Sequence, residues 1–149
     1  MTHPGHLREI LHNKGNATWS ISPDATVFEA IQLMAEKNVG AVLVMAGSAL
    51  TGVLTERDYT RKIALKGKSS KETRVREIVS GSPLTVTLQH TVEHCMRLMT
   101  ENRVRHLPVL QDDQVIGIVS IGDLVNWIIG AQSAAITQLE GYISGHYAV

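Results

Sequence analysis

One short pattern occurs twice in this chain, 65 residues apart, and it constrains the fold more than composition does. Gly52-Val-Leu-Thr-Glu-Arg-Asp58 and Gly117-Ile-Val-Ser-Ile-Gly-Asp123 each run from a glycine through apolar residues to a hydroxyl, with an aspartate three positions on. Shifted by 65, Thr26 to Asp58 aligns with Thr91 to Asp123 without a gap. Identities fall at Thr26/Thr91, Val27/Val92, Leu33/Leu98, Met34/Met99, Glu36/Glu101, Val39/Val104, Val44/Val109, Gly52/Gly117 and Asp58/Asp123. Upstream, Leu7-Arg-Glu-Ile-Leu11 resembles Val75-Arg-Glu-Ile-Val79 at an offset of 68. Self-similarity at a fixed period means one supersecondary unit used twice. Halves of about 65 residues are marginal alone, so the two are expected to pack as one unit.

Hydrophobic periodicity gives both halves the same order of elements. Short strands are expected at Trp19 to Ser22 and Leu84 to Thr87. Helices follow from Thr26 to about Asn38 and from Val92 to Asn102, the first with Val27, Ala30, Ile31, Met34 and Ala35 on one stripe. Strand pairs come next: Ala41 to Met45 with Leu50 to Leu54 across a Gly47-Ser48 turn, and Leu107 to Leu110 with Val115 to Ser120 across Asp112-Asp113. Each half closes with a helix, from Glu56 to Gly67 and from about Gly122. Leu7 to His12 reads as a further short helix. The division is residues 7–66, a charged linker 67–74, residues 75–130, and a helical tail 131–149. Glu140 is the only charged residue from Trp127 onward, so the tail is expected to cover the core or a partner subunit.

Bulk properties mostly exclude. With 14 basic and 14 acidic residues the formal net charge is zero, so no global field recruits nucleic acid or membrane. Basic residues do cluster: Arg57, Arg61, Lys62, Lys66, Lys68, Lys71, Arg74 and Arg76 stand against Asp58 and Glu72. That stretch reads as a solvated face or linker, with phosphate or protein contact as the alternatives. Aromatic residues are too sparse there for base stacking. The single cysteine, Cys95, aligns with Ala30 on the inner face of a helix and reads as a small core residue rather than a redox sensor. One cysteine makes no intrachain disulfide and fits a reducing compartment. Met1 to Asn13 is polar and carries His3, His6 and His12, unlike a signal peptide. With no apolar run long enough to span a membrane, a cytoplasmic location is expected.

The chemistry concentrates at Thr55/Asp58 and Ser120/Asp123. Thr and Ser are good helix N-caps and an acid in the first turn complements the helix dipole, so capping is one reading of both pairs. The same geometry also suits a ligand: the helix start and hydroxyl favour a phosphate, and a carboxylate accepts from the paired hydroxyls of a ribose. Other signals are weaker. Gly67-Lys-Ser69 looks like the end of a phosphate-binding loop, but that motif needs glycine where Lys62 stands. His90 and His94 are four apart on a helix, yet align with Ala25 and Glu29, as on an exposed face.

The duplicated Gly-apolar-apolar-Thr/Ser-x-x-Asp, with Arg105-His-Leu-Pro-Val109 between, resembles a pair of CBS domains, a Bateman module. Thr55-Glu-Arg-Asp-Tyr-Thr-Arg-Lys62, Gly67-Lys-Ser-Ser-Lys71 and Tyr142-Ile-Ser-Gly145 are similar to small stand-alone bacterial members and their plant organellar relatives. The resemblance implies an α/β (α+β) fold: a tandem repeat of two β-α-β-β-α units packed through their sheets with pseudo-twofold symmetry, often paired into a homodimer. It implies clefts that bind AMP, ADP or ATP, and sometimes NAD(H) or S-adenosylmethionine. By position, one cleft uses Val53, Thr55 and Asp58 with Ser80 and Leu84. The other uses Ile118, Ser120 and Asp123 with Trp19 and Gly40. Arg105 and His106 lie near the pseudo-axis, and Arg57 and Arg105 neutralise phosphate. Arg57 aligns with Gly122 and Arg105 with Gly40, so the clefts are expected to be unequal. The implied function is a sensor that works through a protein effector, for which a thioredoxin-type enzyme is one option, with no catalytic residues, no catalytic cofactor and no metal of its own. A ligand-free dimerisation module and a nucleotide-processing enzyme are the alternatives.

Overall fold

The computed structural model describes residues 5–15, 17–79 and 81–143. Ser80, His3 and most of the Tyr142 to Gly145 motif lie outside the described residues or their described side chains.

The elements run α1 (Leu7–Lys14), β1 (Ser20–Ile21), α2 (Val27–Lys37), β2 (Ala41–Ala46), β3 (Ala49–Thr55), α3 (Glu56–Tyr59), α4 (Val75–Ile78), β4 (Val86–Thr87), α5 (Val92–Asn102), β5 (His106–Gln111), β6 (Gln114–Ser120) and α6 (Ile121–Ile143). A π-helical turn, Thr60–Ala64, carries α3 onward. Both halves are thus β-α-β-β-α, with sheets ordered β1-β2-β3 and β4-β5-β6. In each, the first strand is parallel to the second and the second antiparallel to the third.

The repeat extends to backbone detail. The register of β2 with β3 shifts at Val44/Met45, and that of β5 with β6 at the equivalent Val109/Leu110. Thr26 and Thr91 cap α2 and α5 by accepting from Glu29 N and His94 N. Asn38 and Arg103, both left-handed, end those helices. Equivalent side chains are buried: Val27, Ala30 and Met34 on α2, and Val92, Cys95 and Met99 on α5. Val42 and Val44 join the first core. Leu43, on the opposite face of β2 by strand alternation, is buried too, which accounts for the continuous apolar run.

The halves exchange their short helices. Leu7, Ile10 and Leu11 of α1 pack in the core of the second half. Val75 and Ile78 of α4 pack in the core of the first. Matching backbone bonds fix both: Leu7 N donates to His90 O (3.1 Å) and Val75 N to Ala25 O (2.9 Å). The exchange explains the glycine that opens each repeated motif. A Cβ on Gly117 would sit 2.9 Å from Leu11 Cδ2, and one on Gly52 would overlap Val79 Cγ1.

Two expectations are corrected. The linker is not merely a solvated run: Thr73 is buried, and Thr73 O and Ser70 O accept from Val27 N and Phe28 N at the start of α2. Residues 131–140 of the tail do not cover the core of their own chain. Leu124 is buried and Trp127 and Ile128 pack on the second core, but α6 then continues with its side chains exposed from Ile129 to Glu140. No described helix is long and apolar enough to cross a membrane.

Candidate functional site

β3 and β6 deliver the two hydroxyls to equivalent corners. Thr55 Oγ1 accepts from Asp58 N (3.1 Å), while Asp58 Oδ2 accepts from Thr55 N (3.0 Å) and Thr55 Oγ1 (3.0 Å). Ser120 Oγ accepts from Asp123 N (3.2 Å), and Asp123 Oδ2 from Ser120 N (2.8 Å). Both pairs are therefore caps of reciprocal type. The caps leave the two carboxylates in different settings.

Asp58 stands at the junction of two recesses between the halves. One, of about 600 Å³, is lined by Gly40, Thr55, Glu56, Arg57, Arg61, Lys62, Arg103, Arg105 and His106. The other, of about 340 Å³, is lined by Gly52, Val79, Pro83, Leu84 and Asn102 among others. Val53, Asp58, Lys62, Val104 and His106 belong to both. One recess is thus strongly cationic, and the other sets Val53, Val79, Pro83, Leu84 and Val104 beside polar residues. Asp58 Oδ1 lies 3.5 Å from Lys62 Nζ, a loose pairing across half-exposed side chains that salt screens. Lys62 Nζ is committed instead to Ile78 O (2.8 Å).

Asp123 is engaged by its own chain. Lys14, at the end of the exchanged helix α1, places Nζ 2.5 Å from Asp123 Oδ2 and 2.7 Å from Ile118 O. Burial pushes the Asp123 carboxyl up, but Lys14 and the bonds from Ser120 outweigh it and hold the group below its ordinary value. Lys14 was not legible as a site residue, because neither period nor motif reveals which half α1 joins.

His106 lines both recesses beside Asp58. Its Nδ1 is buried without a hydrogen-bond partner among the described residues. Burial lowers its pKa first, and Lys14 and Arg105 add to that against Asp123 and Glu56, so the ring is neutral near pH 7.

Gly40 is reassigned. It was expected beside Ser120, but its carbonyl accepts from Glu56 N (3.1 Å), which puts it at the Thr55 corner. Arg105 makes the equivalent bond to Ile121 N (2.9 Å) yet lines the recess at Thr55. Trp19 lines none of the recesses described; Lys37 Nζ lies 4.5 Å over its ring. Sequence reading missed Arg103, Val79 and Val104 in the cleft, and did not single out Arg61 and Lys62 from their basic stretch. His90 and His94 stack with ring centroids 4.9 Å apart, and His90 Nδ1 accepts from Thr87 N (3.0 Å). No group of three metal-ligating side chains occurs among the described residues.

The CBS domain family model matches residues 17–65 and 75–130. The chain belongs to the CBS-domain family. It is similar to the mitochondrial CBS domain-containing protein CBSX3 of Arabidopsis thaliana, 39% identical over 95% of this chain and 73% of that one. Its fold matches the crystal structure of the CBS domain protein NE2398 with TM-score 0.81 and 50% identity, covering 85% of this chain and 99% of that one. A more distant CBS structure, PAE2072 of Pyrobaculum aerophilum, is complexed with AMP; it matches with TM-score 0.70 and 24% identity over 79% of this chain and 88% of that one, a likeness of fold. In this CBS pair one motif carboxylate, Asp58, lines two recesses, and the other, Asp123, is held by Lys14.

Proposed function

We propose that this CBS pair is a regulatory module that binds an adenine nucleotide in the cleft at Asp58 and has no chemistry of its own. The observation that carries the reading is the position of Asp58, between a recess that includes Val53, Val79, Leu84 and Val104 and a recess lined by arginines. A nucleotide has the same order of parts. The base would lie against Val53, Val79, Leu84 and Val104, with backbone groups of Val79 and Gly81 reading its edge. The ribose hydroxyls would donate to Asp58 Oδ1, since Oδ2 serves the cap. Phosphates would meet Thr55, Arg57, Arg105 and the uncharged ring of His106.

The AMP bound by the Pyrobaculum protein supports adenosine as the common moiety; NAD(H) and S-adenosylmethionine share it. The second cleft, at Ile118, Ser120 and Asp123, would start closed because Lys14 already holds the carboxylate. Output would pass through a second copy of the chain and a protein effector. The natural contact for the copy is the exposed stripe of α6. A ligand moves such an equilibrium only by its differential affinity for the two arrangements. A cytoplasmic location remains part of this reading, although the Arabidopsis relative is mitochondrial by name.

Calorimetry with AMP, ATP and NADH tests it. Asp58→Ala should weaken binding roughly 10- to 100-fold, the size of one or two charge-assisted hydrogen bonds. No heat at millimolar ligand would leave a structural dimerisation module, and unchanged affinity in a folded Asp58→Ala would leave a cap and nothing more. Hydrolysis of the nucleotide on incubation would make the protein an enzyme.

A further inference from the structure

We propose that the cleft at Asp58 selects nucleotides with two or three phosphates over monophosphates; the proposal rests on the nucleotide reading above. The cationic recess carries five fixed positive groups, Arg57, Arg61, Lys62, Arg103 and Arg105, against two carboxylates, Glu56 and Asp58. A single terminal phosphate brings roughly two negative charges at neutral pH and leaves a surplus of positive charge in the cleft. A chain of two or three phosphates matches the surplus and spans more of the arginines.

Space for the chain is present. A third recess of about 300 Å³ adjoins the cationic one and shares Arg57, Arg103, Val104 and Arg105 with it. Three arginines are thus common to the two. Arg57 is fixed across the halves by a bond from its Nη1 to Arg103 O (3.2 Å). Arg103 ends α5 with φ 54°, a left-handed residue that turns the chain from helix toward β5. Guanidiniums grouped without an anion repel one another, and a polyphosphate relieves that cost while accepting their planar donors in pairs.

The repeat supplies an internal control. At the equivalent positions of the other half stand Gly122, Asn38 and Gly40 in place of Arg57, Arg103 and Arg105. The same fold is built there with no arginine at these three positions. The three arginines are therefore not a requirement of the architecture, and their convergence on one recess calls for an anion larger than one phosphate.

The test is calorimetric titration of the full chain with adenosine, AMP, ADP and ATP, in chelator and at low and moderate salt. Affinity is expected to rise from AMP to ADP to ATP, by about tenfold or more overall. The gap should narrow as salt rises. Arg61→Ala and Arg103→Ala, each checked for folding by circular dichroism, should lower ATP affinity about tenfold and change AMP affinity less than about threefold. Inorganic tripolyphosphate should compete with ATP. AMP binding as tightly as ATP overturns the proposal, as do arginine variants that weaken both nucleotides equally. AMP binding alone, without discrimination, leaves the nucleotide reading standing; a chain that binds none of the four ligands overturns both.

Discussion

Asp58 and Asp123 occupy the same position of the same motif, yet their neighbours give them different chemistry. Each uses Oδ2 to cap a helix, so each is structural in part. Asp58 Oδ1 has only a loose pairing with Lys62 at 3.5 Å, whereas Asp123 is paired closely with Lys14. Two other residues carry predictions at this scale. Burial raises the Cys95 thiol to about 11. Its labelling by a thiol reagent at neutral pH should follow global unfolding, and rapid labelling of the folded protein would revive a redox role. The depressed pKa of His106 has a definite sign. Between that lowered value and the ordinary 6.5, the unfolded chain binds a proton that the folded chain does not. Stability should therefore be full above about 6.5 and fall on acidification below it. In His106→Gln, the urea midpoint should change less with pH across that window than in the wild type; an identical slope would assign the effect to other groups.

The exchanged helices dominate the element scale. α1 and α4 each cross to the other half and press on a strand glycine, Leu11 on Gly117 and Val79 on Gly52. Overpacking of this kind costs about 1–3 kcal/mol, so Gly52→Ala and Gly117→Ala should lower the urea midpoint accordingly. A second expectation concerns Lys14. Wild-type protein should bind one nucleotide per chain by native mass spectrometry, and Lys14→Met should admit a second. In the wild type, Asp123→Asn should leave affinity unchanged, but in the Lys14→Met background it should abolish the second site. Two equal sites in the wild type would show that Lys14 closes nothing. Much at this scale was legible: the duplicated hydroxyl and aspartate, the helix bounds of α5, and the turn at Asp112 and Asp113, where both residues take positive φ. The partner of α1 was not, because Leu7-Arg-Glu-Ile-Leu11 has the same apolar stripe whichever half receives it.

At the scale of the whole molecule, α6 leaves an apolar seam exposed. Ile136 and Leu139 are 56% and 58% exposed, and with Val125, Ile129 and Gln132 they recur at spacings of three and four. That is the interval of a two-helix seam, and Glu140 is the only charge from Leu124 to Ile143. A second copy of the chain meets both conditions, an equal spacing and no like-charge penalty. Ile136→Glu with Leu139→Glu should convert a dimer to a monomer by light scattering, with nucleotide affinity in the Asp58 cleft intact. A wild-type monomer at micromolar concentration would remove the seam from the mechanism.

By itself, the sequence determined that one unit is used twice, which residues face each core, and where the hydroxyl and carboxylate pairs fall. Those are consequences of local periodicity and of a repeat that any chain carrying it must express. Only tertiary structure decided the rest. Arg103 and Arg105 share the turn between α5 and β5, and Arg57 meets them because the two halves pack together. Lys14 finds Asp123 because a helix from one end of the chain completes the core of the opposite half. Long-range electrostatics depends on distances that no spacing along the chain encodes, and so of two equivalent carboxylates one lines recesses between the halves and the other is paired with a lysine of its own chain.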